Sequence, residues 1–258
     1  MNVRFKRIAA YVIDMLIVSV VVFGLTNIKQ INYQYDNHEK VSSEYEKYVK
    51  KYEKLEDKYN DAKDDYKDKK ITKEEYNKVK NEYKDYKSGY EKSIKKFNYD
   101  LSRNSVIATI ISIAVIIAYF GIFQYSMGGQ TIGKKILKLK VVKNKEGSLN
   151  ILNYLIRCGI LNGVIINILL IVFVNIFNAN NFYTANYVVS NIQSIIEILI
   201  IIMVFMTNDS RGLHDYIAGT KVVELDVLGN EIKKDKEEVE YIPKKKVKKD
   251  CYSFVTEL

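Results

Sequence analysis

Residues 1–27 read MNVRFKRIAAYVIDMLIVSVVVFGLTN. Arg4, Lys6 and Arg7 precede an apolar run, Ile8–Thr26, that one acid interrupts, Asp14. A bilayer crossing needs about 20 mostly apolar residues, so the run is read as a membrane helix. A basic lead of this kind can open a secretory leader. Here the run is long, holds an acid and shows no small-x-small cleavage site near Leu25, so it is read as a retained anchor. An ionised acid costs ~2.5–3.5 kcal/mol at a membrane helix centre and less near the interface. Asp14 therefore needs a partner or a task.

Three more runs have the same character: Ser105–Met127, Ile151–Phe177 and Val188–Met206. The chain is 48% hydrophobic and 28% charged, and the two fractions are segregated along it, which is why the average hides four long apolar runs. The expected fold is an all-α membrane protein with four transmembrane helices and one inserted extracytoplasmic hairpin. Its divisions are 1–26 (first membrane helix), 27–104 (hairpin), 105–223 (three further helices and an interfacial segment) and 224–258 (basic tail). Cys158 and Cys251 form no disulfide framework. The net charge of +9 includes KKKVKK at Lys244–Lys249, which suits anionic headgroups at about 1 kcal/mol per basic residue. A solvated tail is the plainer reading, and nucleic acid is not an expected partner.

Lys and Arg in short loops set orientation. The N-terminus, the segment holding Lys134, Lys135, Lys138, Lys140, Lys143 and Lys145, and the tail are all basic. The stretch Asn178–Tyr187 has no Lys or Arg. Both termini are thus expected in the cytoplasm, with Asn178–Tyr187 and residues 27–104 outside. The lysines of 27–104 do not oppose this, because long loops cross largely regardless of charge.

That external block has a period. Val41, Tyr45, Tyr48, Tyr52, Leu55, Tyr59, Ala62 and Tyr66 follow steps of four and three, as do Tyr76, Val79, Tyr83, Tyr86, Tyr90, Ser93 and Phe97. Such spacing predicts one aromatic seam on each of two helices, as in a coiled coil. Thr72 and Glu75 read as a capping box that starts the second arm. The rod is either a spacer or a docking arm for a protein partner or a second copy.

Three stretches carry a resemblance: RFKRIAAYVID (4–14), GGQTIGKKILKLKVV (128–142) and RGLHDYIAGTKVV (211–223). Together they resemble the RDD family of bacterial multi-pass membrane proteins, over residues 1–26 and about 105–223. The family's arginine and two aspartates match Arg7, Asp14 and Asp215, and Arg157 falls where members often carry a basic residue. The resemblance implies a bacterial cell-membrane protein. It makes cation/proton exchange an expectation only, since few members have an assigned activity.

GGQTIGKK also approaches a phosphate loop, with Gly128, Gly133 and Lys134 in register, but Lys135 replaces the Ser/Thr and a membrane helix precedes it, so the context fails. The stretch is read as interfacial: Gly128 and Gly129 turn the chain, Ile132, Ile136, Leu137 and Leu139 face acyl chains, and Lys134 and Lys135 meet headgroups. Leu139–Val142 and Thr220–Leu225 are expected to pair as a small ribbon, and Ser148 to cap the third membrane helix. Adjacent His214 and Asp215 do not face each other on a helix, and Asp215 is expected to bond Arg211 or the basic middle segment.

Asp14 lies six residues past Ile8, roughly 9 Å along the helix, with Arg7 below it and Arg157 at similar depth. The expectation is a salt bridge from Asp14 to Arg157 or Arg7; an ion relay is the alternative. Glu197 falls mid-run, and an intramembrane acid is a functional candidate by default. Gln193, Asn162 and Asn167 are its expected polar company. No nucleophile–base pair, metal cluster or cofactor motif is evident, so an enzyme is not expected. Two functions stay open: an ion or small-solute permease, with an oligomer to enclose the path, or an anchored scaffold presenting the hairpin.

Overall fold

The computed structural model describes residues 2–232. Cys251, Lys244–Lys249 and the rest of the basic tail lie outside the described residues. Helix α1, Val3–Thr26, starts where the Asn2 side chain accepts from the Arg4 N–H. Two long polar helices follow, α2 (Tyr35–Lys67) and α3 (Lys73–Asn104). They run antiparallel: Tyr45 meets Phe97, Tyr48 stacks on Tyr90, Tyr52 meets Tyr83 and Tyr59 meets Tyr76. The turn is set at Thr72 and Glu75, whose side chains and backbone N–H groups cap each other reciprocally. The Tyr52 and Tyr83 hydroxyls lie 3.0 Å apart, and Tyr83 donates to Glu56 at 3.0 Å. The rings bury one another while their polar tips stay satisfied at the seam's edge.

Ser105 closes α3 and opens the next rod, which continues through α4 (Val106–Ile116), a π-helical stretch Ile117–Phe123 and α5 (Gln124–Ser126). Gly128 and Gly129, with φ of +62° and +100°, then reverse the chain. A short helix α6 (Ile132–Ile136) and strand β1 (Leu139–Lys143) follow. Strand β2 (Thr220–Glu224) pairs antiparallel with β1 in the register Val141↔Val222. The two-stranded ribbon therefore forms, and Leu139 and Val141 are buried in it against Ala10 of α1 and Tyr154.

Helices α7 (Ile151–Leu161) and α8 (Val164–Ile176) are bent by 65° at Asn162–Gly163. The expected third membrane helix is thus broken. Gly163 sits at φ +64°, which only glycine takes without strain. The cap of α7 is Asn150, which exchanges bonds with Asn153, rather than Ser148. Helix α9 is longer than expected, Ala179–Met206, because Asn178 accepts from the Asn181 N–H and starts it nine residues early. The polar stretch taken for an outer loop is its first turns. A short helix α10, Leu213–Ile217, leads into β2.

Among the described residues, three helical rods are long and apolar enough to cross a membrane: Val3–Thr26, Val106–Ser126 and Ala179–Met206. The bent pair α7–α8 makes a fourth if it counts as one span. The start of α1, the ribbon, α6 and α10 gather at one end, where Arg4 reaches Ser210 and Lys6 pairs with Glu224. The paired arms join the other end, where Tyr99 meets Phe182 of α9 edge to face.

Candidate functional site

The three motif stretches converge on two buried carboxylates. Asp14 is fully buried. Its Oδ1 accepts from the Gly133 N–H at 2.7 Å and from the Tyr119 hydroxyl at 2.7 Å. Its Oδ2 accepts from Thr131 Oγ1 at 2.5 Å and lies 3.7 Å from Lys134 Nζ. Neither expected arginine reaches it. The partner is the GGQTIGKK stretch, which folds onto α1 instead of lying along the lipid surface. Gly133 makes this approach possible, since a Cβ there would strike the Ala10 carbonyl and come within 2.9 Å of Asp14. Lys134 is only 8% exposed, so it faces inward, whereas Lys135 is exposed as expected. Ile132 and Ile136 are exposed, but Leu139 is in the core.

The π-helical stretch matters to this site. One extra residue per turn re-aims side chains, and such bulges recur at functional positions. Here it carries Tyr119 to Asp14 and Phe120 to a cluster with Val18, Cys158 and Val164.

Asp215 collects the arginines. Arg7 Nη2 donates to it at 2.6 Å, Arg157 donates through Nη1, and Thr220 Oγ1 donates at 3.0 Å. The Gly212 N–H adds a bond at 3.1 Å. The carboxylate's expected partners were the basic middle segment, which does not bond it among the described residues, and Arg211. It donates instead to the backbone carbonyls of Asp215 (3.3 Å) and Thr220 (2.9 Å), and stacks over the Tyr216 ring at 3.9 Å. A charge with this many donors is stabilised despite burial, because every lone pair is used. His214 is 2% exposed and its two ring nitrogens make no hydrogen bond to the described residues; its Nε2 lies 3.3 Å from Asp215 without bonding geometry. Burial, then the cations Arg157, Arg7 and Lys134, hold its pKa well below the ordinary histidine range, so the ring is neutral. Burial and Arg157 likewise push Lys134 down to about 7, with Asp14 opposing.

A cavity of about 460 Å³ opens beside these clusters. Arg7, Tyr11, Lys134, Arg157, Glu197 and His214 supply its polar wall. Glu197 is exposed and bonds Gln193 at 2.7 Å. Gln193 in turn packs on Gly163, whose Cβ would come 3.2 Å from it. Asn162 accepts from Tyr11 at 3.1 Å. The bend at Asn162–Gly163 therefore brings Glu197, Gln193 and Asn162 into one neighbourhood. Asn167 is elsewhere: it lines a smaller cavity of about 140 Å³ with Ser102, Thr109 and Asn186. It lies four residues, just over one helical turn, past the left-handed corner at Gly163, on the side that meets α3 and α4.

Tyr119, Thr131 and Thr220 belong to these clusters and were not singled out from sequence. Thr131 and Thr220 had a signal, since each is the lone threonine inside a motif stretch. Tyr119 had none, because its orientation depends on the π-helical register.

The fold is that of a helical membrane protein with a buried ion-pair centre at one end. The model of the RDD family matches residues 3–219, a range that includes both arms, and the chain belongs to that family. No curated protein and no solved structure matches it.

Proposed function

We propose that this protein is a permease for an ion or small solute, of the cation/proton exchange type, and that its path includes the cavity between α1, α7 and α9. The carrying observation is the cavity itself, which is lined by Glu197 and Tyr11 together with Lys134 and Arg157. Both kinds of group sit where charge is expensive and is retained for a task. Asp14 is the less suitable carrier, because three hydrogen bonds and the Lys134 amine already fix it. The proposed setting is a bacterial cell membrane, with the α1 start, ribbon and tail cytoplasmic and the arms outside. Lysine placement supports that orientation, as does the gathering of the basic segments at one end. A homo-oligomer and anionic headgroups complete the proposed surroundings, and no enzymatic chemistry is proposed. The test is cation/proton exchange in proteoliposomes, comparing wild type with Glu197→Gln. Flux that the substitution lowers tenfold or more supports the reading; no flux above empty liposomes sinks it.

The second reading is a membrane-anchored scaffold. It is favoured by the arms, since α2 has 33 residues and extends about 50 Å at 1.5 Å per residue. Deleting residues 41–100 should then abolish co-purification of a defined partner and leave the membrane part folded.

A further inference from the structure

The cavity has one feature that ion passage does not use: its charge is concentrated at one end and its walls are greasy. Ile8, Leu161, Ile200, Ile201, Val204 and Phe205 line it. Ile8 and Ile201, on opposite sides, are themselves exposed, at 42% and 57%. The rim formed by α1 and α9 is therefore apolar and exposed, on two helices long and apolar enough to cross a membrane. Phe5 and Phe205 meet edge to face at 5.8 Å near the start of α1.

The charged end carries a surplus. With Lys134 protonated, as it is below about pH 7 and as an adjacent anion favours, Arg7, Lys134 and Arg157 line the cavity against Asp14 and Asp215, three cations to two anions. Glu197 does not cancel this locally. It bonds Gln193 and sits seven residues before Val204, about 10 Å along α9, whereas Val204 packs beside Gly212 and His214. Donors are left over. Arg157 makes its hydrogen bonds to described residues through Nη1 alone. The neutral His214 ring lines the cavity, and its buried N–H and lone pair have no partner among the described residues. Such an unpaired buried group is unfavourable, and a ligand atom that reaches it relieves that cost. A single surplus positive charge, guanidinium N–H groups in a fork and an apolar exit match a phosphodiester monoanion with a hydrocarbon tail. The volume is within the range of ligand sites.

We infer that this crevice binds a phosphate-bearing anionic lipid, its phosphodiester seated among Arg7, Lys134, Arg157 and His214 and one acyl chain leaving between Ile8 and Ile201. The inference goes beyond the permease reading and does not depend on flux.

The full chain, purified in detergent and stripped of lipid, is titrated with dioleoyl phosphatidylglycerol, dioleoyl phosphatidylcholine, glycerol 3-phosphate and inorganic phosphate. Retention is read by native mass spectrometry and by the shift in Tm. Phosphatidylglycerol should bind at least about tenfold tighter than phosphatidylcholine, and millimolar soluble anions should not shift Tm. Ile201→Trp fills the exit without touching the charges and should weaken phosphatidylglycerol about tenfold. Lys134→Met should narrow the gap between the two lipids. Equal retention of both lipids, or unchanged binding in Ile201→Trp, overturns the proposal. A Tm shift by glycerol 3-phosphate or inorganic phosphate equal to that by phosphatidylglycerol assigns the site to a soluble anion and overturns it too. Selective lipid binding without exchange activity removes the permease reading alone, and exchange without selective binding removes the lipid site alone.

Discussion

Arg7 and Asp215 are 208 residues apart in sequence and 2.6 Å apart in space. This pair ties the first turns of α1 to α10, and Arg157 reaches the same carboxylate from α7. One buried acid thus holds three chain segments at one end of the membrane domain. Removing one member of a buried ion pair costs about 3–5 kcal/mol, because the remaining charge is left uncompensated. Asp215→Asn strands two arginines and should lower the detergent Tm by roughly 6–20 °C at 2–4 °C per kcal/mol. Combining it with Arg7→Gln should cost less than the sum of the single changes, since both act on one contact. Strict additivity in a thermal-melt cycle would contradict the pairing.

Gly133 and Gly24 are both helical glycines, and the structure separates them. A methyl group at Gly133 would meet the Ala10 carbonyl and the Asp14 carboxylate, whereas among the described residues nothing lies within 4 Å of one at Gly24. Gly133→Ala should push α6 off α1, break the 2.7 Å bond to Asp14 and lower stability by several kcal/mol, on the order of other severe core changes. Gly24→Ala should be neutral or raise stability by up to about 1 kcal/mol through helix propensity. Equal melting of the two variants would refute the close approach.

These contacts also mark where the sequence was readable and where it was not. The apolar runs, the capping box at Thr72, the ribbon and the tyrosine seam all follow from local pattern. The carboxylate partners did not. Position along a helix fixes the depth of Asp14, Arg7 and Arg157, but the angle around the axis depends on neighbours. Arginines at the right level therefore went to Asp215 instead. The GGQTIGKK stretch misled for a related reason. Its alternation of Ile and Lys fits an interface, and only the packing of Gly133 on Ala10 turns Lys134 inward. The broken third helix had a visible sign in Asn162–Gly163, an Asn-Gly dipeptide inside an apolar run. The early start of α9 had one as well: Asn178 three residues before Asn181.

Lys134 should leave a signature in the pH dependence of stability. Burial lowers its pKa in the folded protein to about 7 from an ordinary 10.5. Between these values the unfolded chain holds the proton and the folded one does not. Stability therefore rises with pH across that window, by up to roughly 1.4 kcal/mol per pH unit, and is flat in this group below it. Lys134→Met should abolish that slope between pH 7 and 10 and raise stability most at the acidic end. Melts of both proteins across that range check it, and parallel curves would argue against a buried lysine.

The arms can be tested without disturbing the membrane part. Tyr83 is the buried centre of the seam: its ring stacks on Tyr59 at 4.8 Å with 6° between planes, and its hydroxyl meets Tyr52 and Glu56 at 3.0 Å each. It sits 16 residues before Tyr99, about 24 Å along α3, while Tyr99 is where the arm touches α9. Tyr83→Ala removes one large ring and its hydroxyl network at a half-open seam, a loss of about 2–4 kcal/mol by analogy with core aromatic truncations. A two-helix seam has few other contacts to compensate, so α2 and α3 should open locally. Hydrogen exchange should then quicken across residues 45–97, with α1 and the ribbon unchanged. Faster exchange throughout the chain would mean that the arms and the membrane domain unfold as one unit.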